Sequence, residues 1–561
     1  MSRVREAADA GLKVGATCAH PCGQRDLSER FLATLGMTMV EHNYDKKAVG
    51  SNGSPVCRLG SACYTLPPMP QPSRGVSDLV FLSAAELGES IRRKRVSPVE
   101  VVEAHLAQID RLNPQLNAIV SLDREGALAA ARRAELAVMR GDGLGPLHGV
   151  PVTIKSSIDS AGLRCEAGTR LRAGYVPAGD APVVARLKAA GAIVLGNTNV
   201  PELLMAWETD NTLYGRTNNP WDLARTPGGS SGGEAAAIAA GCSVAGVGSD
   251  GGGSIRVPAH FSGICGLKPT PGRIPSTGHF PPSLGPFALL GVVGPMARTA
   301  HDLKILFEVM AGPDDGDVCA APVPFRAVQE ADLRRVRVGY FEDDGITPVT
   351  PETRAAVRAA AKALEQQGFN VQPFRPEGLE DMRHLWWTFF GRTGRLLLDP
   401  MLEGHESELT PILKEFIEVV AAEPPLTLER LLHTWLERDQ CRTRLLMQMR
   451  QFPVLLCPVC SIPAFRHGER AWKVDGQSVG YLDAMRYAQW VNLTGNPAAV
   501  VPAGRSPEGL PIGVQIVGRP HEEEVILAIA EKIESALGGR QRPPSATATI
   551  DSRRSDAHLG R

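Results

Sequence analysis

Residues 225–271 read RTPGGSSGGEAAAIAAGCSVAGVGSDGGGSIRVPAHFSGICGLKPTP and carry the strongest structural signal of the chain. Two glycine-wrapped serine clusters lie in this stretch, GGSSGG at 228–233 and DGGGSIR at 250–256. Glycine clusters occur where the backbone takes unusual dihedral angles or approaches a ligand closely. Because the residues between the clusters are apolar, we expect folded interior rather than a flexible Gly/Ser linker. The pattern predicts a site made of serine hydroxyls and backbone amides.

A nucleotide-binding loop is a second interpretation of the same residues. Residues 246–251 spell GxGxxG, a pattern that indicates dinucleotide binding only when a helix opens at it and an acidic residue follows about 20 positions later. Here Pro258 disfavours a long helix, and the later segment GLKPTPG contains no acid. No GxxxxGK[ST] phosphate loop occurs in the chain. We therefore predict no nucleotide site.

The two clusters suit nucleophilic catalysis. A serine hydroxyl is a weak nucleophile until a base takes its proton, and successive backbone N–H groups can hold an oxyanion. Ser254 is the natural nucleophile, and the amides from Gly251 through Gly252 and Gly253 to Ser254 form the natural oxyanion hole. The base must come from elsewhere in the chain.

Several motifs together resemble the amidase signature family. Besides the two clusters and GLKPTPG, the matching segments are GVPVTIK at 149–155, NTNVPE at 197–202 and GRTNNP at 215–220. The six segments occur in the family's order, and the resemblance covers roughly residues 82–537. It implies an α/β amidase signature fold, a single large domain with a large mixed twisted sheet covered on both faces by helices.

The resemblance also implies a Ser–cis-Ser–Lys triad. Ser254 is then the nucleophile, Ser230 the cis-serine relay and Lys155 the base. Ser230 is preferred over its neighbour Ser231 because it lies 24 positions before Ser254, as the family spacing requires. Ser231 is grouped with Gly251–Gly253 as a substrate or oxyanion contact. The family's usual Asp-Thr-Gly-Gly-Ser reads Asp-Gly-Gly-Gly-Ser here.

The lysine can serve as a base only if its pKa falls. A free lysine has a pKa of about 10.4, and burial can lower it by several units. Lys155 ends the apolar run 150–154, so we expect its side chain to project from a buried strand. Asp250 and Arg256 bracket the nucleophile loop, and we expect a buried ion pair that supports the loop without taking part in the chemistry.

The chain divides into three parts. We predict a poorly ordered N-terminal extension at 1–78, the amidase signature domain at 79–538 and a disordered C-terminal tail at 539–561. The extension lacks the apolar core of a secretory signal. Its cysteines and His20 fit no zinc spacing, so we predict no metal site; these cysteines are Cys18, Cys22, Cys57 and Cys63.

Local patterns predict alternating helices and strands. Ser83 and Ser97 each open a helix with a capping box, and Asn113-Pro114 is expected to end the second helix. A third helix is expected over 124–139, stopping at Gly141. Strands are predicted at 150–155, 192–195 and 336–340, and further helices at 182–190, 234–240, 351–367 and 522–537. Such alternation is typical of a sheet covered on both faces.

Composition limits the partners. The net charge is −1, so the composition does not indicate a basic surface for binding nucleic acid. The sequence contains no run of 18 apolar residues, so it predicts no membrane span. The 11 cysteines are scattered, as in a cytoplasmic protein with reduced thiols, and we expect no redox role for the C-x-x-C at 457–460.

We therefore predict an amidase that hydrolyses linear carboxylic acid amides to acid plus amine or ammonia, without metal or cofactor. The expected partner is a small amide, and a homodimer is left open. The aromatic cluster 386–390 is expected either to line an acyl or aryl pocket or to pack in the core. Three alternatives stay open: the A component of a glutamine-dependent amidotransferase that modifies misacylated tRNA, a non-catalytic binding protein on this fold, and a Ser–His–Asp hydrolase using His148, His260 or His279.

Overall fold

The computed structural model describes residues 79–539 and 541–547. Apart from 399–403, the described residues belong to one compact unit. The predicted extension 1–78, with its cysteines, and the part of the predicted tail after residue 547 lie outside the described residues.

Thirteen strands are defined in the described part of the chain. Their bounds are β1 Ile119–Leu122, β2 Pro151–Lys155, β3 Ile193–Thr198, β4 Ala245–Asp250, β5 Cys265–Lys268, β6 Val292–Ala297, β7 Arg337–Tyr340, β8 Asn370–Pro373, β9 Val454–Pro458, β10 Ala471–Val474, β11 Gln477–Gly480, β12 Ala498–Arg505 and β13 Pro511–Val517.

Eleven of these strands form one sheet in the order β1-β3-β2-β4-β6-β5-β12-β13-β9-β7-β8, and β10 pairs with β11 in a small hairpin. β2 is parallel to both β3 and β4, and β7 is parallel to β8 and β9. The central pairs from β4 to β13 are antiparallel. The sheet is therefore mixed, as predicted.

The helices flank this sheet. Their bounds are Ala84–Arg92, Pro98–Leu116, Arg124–Arg140, Pro182–Ala189, Gly232–Ala239, Arg256–Ser262, Ala300–Met310, Glu330–Leu333, Pro351–Gln366, Met382–Trp387, Thr393–Leu402, Pro411–Ala421, Leu428–Gln448, Tyr481–Ala484, Arg486–Thr494, Glu523–Leu537 and Pro544–Thr547. A π-helical turn, Thr388–Arg392, follows the helix that ends at Trp387.

The first two helices begin where their capping boxes predict. Ser83 and Ser97 each accept a backbone N–H through the side chain, and Glu86 and Glu100 complete the boxes. The predicted end at Asn113-Pro114 is wrong, because the helix continues to Leu116. Pro114 lies in the last turn, where its missing N–H costs a single helical hydrogen bond.

Strand alternation divides the residues of β2 between the two faces of the sheet. Val152 and Ile154 join a large apolar cluster that includes the helices Ala84–Arg92 and Glu523–Leu537. The hydroxyl of Thr153 instead donates to the carboxylate of Glu234, on the helix Gly232–Ala239. A two-residue side-chain period therefore directs Thr153 and Lys155 away from the cluster that contains Ile154.

Part of the predicted disordered tail contacts the domain. Ser545 donates through its hydroxyl to the Pro220 carbonyl at 2.6 Å, and the Arg542 guanidinium lies 4.5 Å from the centre of the Phe81 ring. These two residues therefore contact the domain through one hydrogen bond and one cation–π interaction, and the disorder of the tail stays a prediction.

Candidate active site

Lys155 and Ser249 meet at one edge of the sheet. Each lies at or next to the carboxyl end of its strand, and β2 and β4 are parallel neighbours. Ligands in open α/β sheets bind outside these carboxyl ends. The Lys155 side chain is completely buried, and its Nζ donates to Ser249 Oγ at 3.0 Å.

Ser230 completes the lysine's surroundings. It lies just before the helix Gly232–Ala239, and the Gly229–Ser230 peptide bond is cis. Lys155 Nζ lies 2.7 Å from Ser230 Oγ. The structure therefore brings together the predicted base and the predicted relay serine, from segments 75 residues apart.

Ser254 lies in the turn between β4 and the helix Arg256–Ser262. It is half-buried and lines two cavities, the smaller of which Ser230 and Ser249 also line. Its hydroxyl makes no hydrogen bond with the described residues. The predicted nucleophile and relay thus share a cavity without a direct hydrogen bond, an arrangement that free enzymes often tighten only when substrate binds.

Burial sets the protonation of Lys155. It lowers the lysine pKa to about 7, against the opposing effects of Asp250 and Glu234. Glu234 is also completely buried, and burial raises its pKa to about 8 although Thr153 and Thr198 donate to it. At neutral pH the site therefore contains a lysine that is substantially neutral, as a general base requires.

The glycine loop before Ser254 has its own supports. The indole N–H of Trp386 donates to the Gly251 carbonyl and that of Trp207 to the Gly252 carbonyl, both at 2.9 Å. The Gly253 N–H is engaged, because it donates to Asp250 Oδ1 at 2.7 Å. The N–H groups of Gly251, Gly252 and Ser254 have no acceptor in the described part of the chain, so they rather than Gly253 can face an oxyanion.

Asp250 and Arg256 form the predicted buried pair. Both side chains are inaccessible to solvent, and two guanidinium nitrogens contact the carboxylate at 3.0 Å. Burial raises the pKa of Asp250, but Arg256 outweighs it and holds the net pKa well below its usual range. Asn492 donates to the same carboxylate, so the pair also fixes the nucleophile turn to a distant helix.

The Ser231 hydroxyl faces the backbone of β4 in this structure, and its predicted contact with substrate stays a prediction. The residue is completely buried and lines neither described cavity near Ser254. Its Oγ lies 3.3 Å from both the backbone N and the backbone O of Ser249. Ser231 therefore holds β4 in place, because its hydroxyl is occupied by that backbone.

The GxGxxG pattern has a packing explanation. Residues 245–250 are a strand, and a Cβ added at Gly246 would lie 1.9 Å from the Glu234 carboxylate. A Cβ at Gly248 would lie 2.9 Å from the Ser231 hydroxyl. Gly246 therefore makes room for a side chain of the helix Gly232–Ala239, and Gly248 for the Ser231 side chain just before that helix.

The three histidines do not support a Ser–His–Asp site. His148 bonds to a backbone carbonyl through Nε2, and the buried His260 bonds to backbone groups through both ring nitrogens. His279 does reach the site, but its Nε2 lies 2.9 Å from Ser249 Oγ and its Nδ1 2.8 Å from the Pro281 carbonyl. None of the hydrogen bonds made by these three rings involves Ser254.

Two cavities meet at Ser254. The larger, of about 320 Å³, is mainly apolar, and six of its lining residues are aromatic. The smaller, of about 60 Å³, contains the polar groups of Ser230, Ser249 and His279. Both are lined by Leu204, Met205, Ser254 and Phe390.

The aromatic cluster at 386–390 is divided between a cavity lining and the core. Trp386, Trp387 and Phe390 line the larger cavity, whereas Phe389 is completely buried against Trp435. The alternation follows from the helical turn, which presents successive residues to different surroundings.

Sequence reasoning missed two polar residues of the site. Ser249 lies within the quoted stretch, and its place at a strand end beside the glycine clusters was a usable signal. His279 was considered only as a base for serine, and no local pattern predicts its contact with Ser249, 30 residues earlier.

The sequence predicts neither a membrane-spanning helix nor a redox role for Cys457 and Cys460. Among the helices that the structure describes, none combines the length and hydrophobicity required to cross a bilayer. Cys457 and Cys460 are both buried free thiols whose pKa burial raises to about 12, which opposes thiolate reactivity.

The structure places a buried lysine beside serine hydroxyls on a mixed α/β sheet, and sequence comparison assigns the family. Residues 100–527 match the Amidase family model, so the chain belongs to the amidase signature family. The A component of glutamyl-tRNA(Gln) amidotransferase from Chloroflexus aggregans is 33% identical over 496 residues, covering 84% of this chain and 99% of that protein. Fatty-acid amide hydrolase 2-A of Danio rerio is 34% identical over 512 residues, covering 86% and 92%.

A solved structure agrees with this assignment. A bacterial aryl acylamidase of the amidase signature family matches with a TM-score of 0.72 and 27% identity, over 81% of this chain and 96% of that one. These matches support amidase activity in general and confirm the predicted fold class.

Proposed function

We propose that the chain hydrolyses carboxylic acid amides through an acyl-enzyme on Ser254. The observation that carries the proposal is the buried Lys155 amine, 2.7 Å from the Ser230 hydroxyl in a cavity that Ser254 also lines. Neutral Lys155 takes the Ser230 proton while Ser230 takes the proton of Ser254, whose oxygen attacks the amide carbon. The amides of Gly251, Gly252 and Ser254 receive the oxyanion.

Collapse of the tetrahedral intermediate breaks the C–N bond. The departing nitrogen receives the proton from Lys155 through Ser230, which restores the neutral lysine. Water then attacks the ester carbon by the same relay, releasing the acid and regenerating the Ser254 hydroxyl.

We assign the acyl part of the substrate to the larger cavity, and its lining supports a bulky aromatic or other apolar group. The charged residues there already have partners: Arg383 pairs with Asp483 at 2.9 Å, and Arg470 with Glu415 at 3.0 Å. No unpaired charge among the described lining residues is available for a charged acyl group. The smaller cavity suits ammonia or a small amine, and water.

Covalent labelling tests the catalytic assignment. A fluorophosphonate is expected to modify Ser254, as located by peptide mapping, and Lys155→Ala should slow labelling by about 10²- to 10⁴-fold because the base is gone. Lys268→Met is a matched control. Lys268 is also completely buried with a pKa lowered to about 7, but its Nζ donates to a backbone carbonyl instead of a serine.

Labelling at another residue, or labelling that Lys155→Ala leaves unchanged, would favour the binding-protein alternative. For specificity, the purified chain should hydrolyse phenylacetamide at least about 100-fold more efficiently than acetamide, because a buried aromatic group contributes several kcal/mol of binding. Equal efficiency would contradict the assignment of the larger cavity.

The amidotransferase alternative is favoured by the match to the amidotransferase component from Chloroflexus aggregans. It predicts that glutamine is the preferred amide and that partner proteins are required. This alternative would be supported if glutaminase activity exceeded phenylacetamide hydrolysis only after such partners are added. Hydrolysis of phenylacetamide by the chain alone would count against it.

A further inference from the structure

A series of hydrogen bonds leads from Lys155 through Ser249 to His279. Lys155 Nζ lies 3.0 Å from Ser249 Oγ, which lies 2.9 Å from His279 Nε2. His279 Nδ1 in turn lies 2.8 Å from the Pro281 carbonyl. The catalytic proposal uses neither His279 nor the Ser249 hydroxyl.

The chemistry of Lys155, Ser249, His279 and the Pro281 carbonyl fixes which atom donates in each of these hydrogen bonds. A carbonyl only accepts, so His279 Nδ1 must carry the hydrogen that goes to Pro281. In a neutral imidazole Nε2 is then an acceptor, and the Ser249 hydroxyl donates to it. Burial and the nearby Lys155 lower the His279 pKa to about 4, so the ring is neutral at neutral pH.

The Ser249 hydroxyl has one proton. Once this proton is directed to His279, Ser249 Oγ can only accept from Lys155. A neutral amine has two N–H bonds and one lone pair. One N–H points to Ser249 Oγ, and the Ser249 carbonyl lies within 3.5 Å for the other. The lone pair is left for the Ser230 hydroxyl, 2.7 Å away.

We infer that His279 is a positioning residue that acts through Ser249: it keeps the Ser249 proton away from Lys155 and so reserves the lysine lone pair for Ser230. This inference rests on the proposed function. Without an acceptor at position 279, the Ser249 hydroxyl is free to rotate and donate to Lys155 Nζ. The lysine lone pair would then be shared between two hydroxyls, and proton transfer from Ser230 would slow.

Four variants of the full chain test the coupling: His279→Leu, His279→Gln, Ser249→Ala, and Ser249→Ala combined with His279→Leu. The measurements are the rate constant of Ser254 labelling by a fluorophosphonate, and kcat and KM for phenylacetamide. His279→Leu should lower the labelling rate and kcat by about 10- to 100-fold with KM little changed, as expected for a proton-transfer defect. His279→Gln should recover most of this loss, because its amide oxygen can accept from Ser249.

The Ser249→Ala background separates positioning from packing. With no hydroxyl to direct, His279→Leu should have less than about a threefold effect there, since the two residues act as one unit. An equal loss in both backgrounds, or a loss that raises KM alone, would overturn the inference. Wild-type labelling at Ser254 combined with an unchanged His279→Leu rate would overturn it too, whereas absence of labelling in wild type would overturn the proposed function itself.

A spectroscopic measurement is independent of activity and of the folding of His279→Leu. Nitrogen-15 NMR of the wild-type chain labelled at histidine reports the tautomer of each ring, and the His279 signal is assigned by its absence in His279→Gln. We expect hydrogen on Nδ1 and a free Nε2 at pH 7. Hydrogen on Nε2 would overturn the inference even if the enzyme is active, because Ser249 could not then donate to His279.

Discussion

Lys155 shows how burial lowers the pKa of an ordinary side chain. Its hydrogen-bond partners at Nζ belong to Ser230 and Ser249, and the nearest carboxylates, Asp250 and Glu234, only partly offset the cost of charging a buried amine. The resulting pKa of about 7 places the neutral form within physiological pH.

The rate of Ser254 labelling is therefore expected to depend on pH through Lys155. The neutral amine is the base, and protonation removes it, so the rate should rise with pH to a midpoint near 7 and then level. Below the midpoint the rate should fall about tenfold per pH unit. Stopped assays with a fluorophosphonate from pH 3 to 11 measure the profile.

Two results would contradict this expectation. A midpoint near 10 would mean that Lys155 keeps its solution pKa. A midpoint near 4 would assign the titration to His279, whose pKa burial lowers to that range.

Gly252, in the predicted oxyanion loop, has no room for a side chain. A Cβ there would lie 2.4 Å from the Trp386 ring, so the loop or the indole must move. Gly252→Ala should cost about 1–3 kcal/mol of unfolding free energy, as for other overpacked sites, and should slow labelling by displacing the Gly252 amide. Thermal denaturation and labelling rates measure both effects.

Gly179→Ala is the control for that change. A Cβ at Gly179 meets no atom within 4 Å, so stability and labelling should stay as in the unsubstituted chain. An equally tolerated Gly252→Ala would show that Trp386 does not confine the loop.

At the scale of elements, the nucleophile turn is held by three parts of the fold. Asp250 ends β4, and Arg256 begins the following helix. Arg256 Nη1 also donates to Gln515 on β13 at 3.0 Å, and Asn492 on the helix Arg486–Thr494 donates to Asp250. The position of Ser254 therefore depends on elements more than 200 residues away.

Arg256→Met is expected to destabilise the chain strongly. It leaves the Asp250 carboxylate buried without its cation, a change that costs about 3–5 kcal/mol in comparable buried pairs. Urea denaturation followed by tryptophan fluorescence measures the loss.

Arg124→Met provides the comparison, because it breaks an ion pair with Asp110 whose side chains are 44% and 58% exposed. Its cost should be below about 1 kcal/mol. Similar losses for the two variants would mean that the Asp250–Arg256 pair contributes no more than a surface contact.

At the scale of the molecule, the described residues of the domain begin just before the first capping box. Leu87 and Ile91 of the helix Ala84–Arg92 are completely buried in the largest apolar cluster. We propose that the domain predicted at 79–538 folds without residues 1–78. A chain of residues 79–561 should label at Ser254 at the rate of the full chain and denature at the same temperature.

A shorter chain of residues 97–561 is the matched deletion. It removes Leu87 and Ile91 from the core, and burial of each such side chain contributes about 1.5–3 kcal/mol. It should lose several degrees of thermal stability or fail to fold. A 79–561 chain that behaves as badly would show that residues 1–78 belong to the folding unit.

Much of this could be predicted from the sequence because the signals are local. Capping boxes at Ser83 and Ser97 place helix starts, since the residues that satisfy the first N–H groups lie within three positions. The helix end predicted at Pro114 is wrong because the signal there is not local. Whether a proline ends a helix depends on how many turns follow it. Exact helix and strand ends also shifted by one to three residues.

The sequence by itself determined the family, the mixed sheet and the three residues proposed for the triad, because glycine and serine motifs keep their spacing along the chain. Only the tertiary structure decided which polar groups surround them. In the folded chain the Gly253 amide donates to Asp250, the Ser231 hydroxyl contacts the β4 backbone, and His279 forms a hydrogen bond with Ser249. Hydrogen bonds depend on distance and direction in space, and strands and loops far apart in sequence acquire both only when the sheet is assembled.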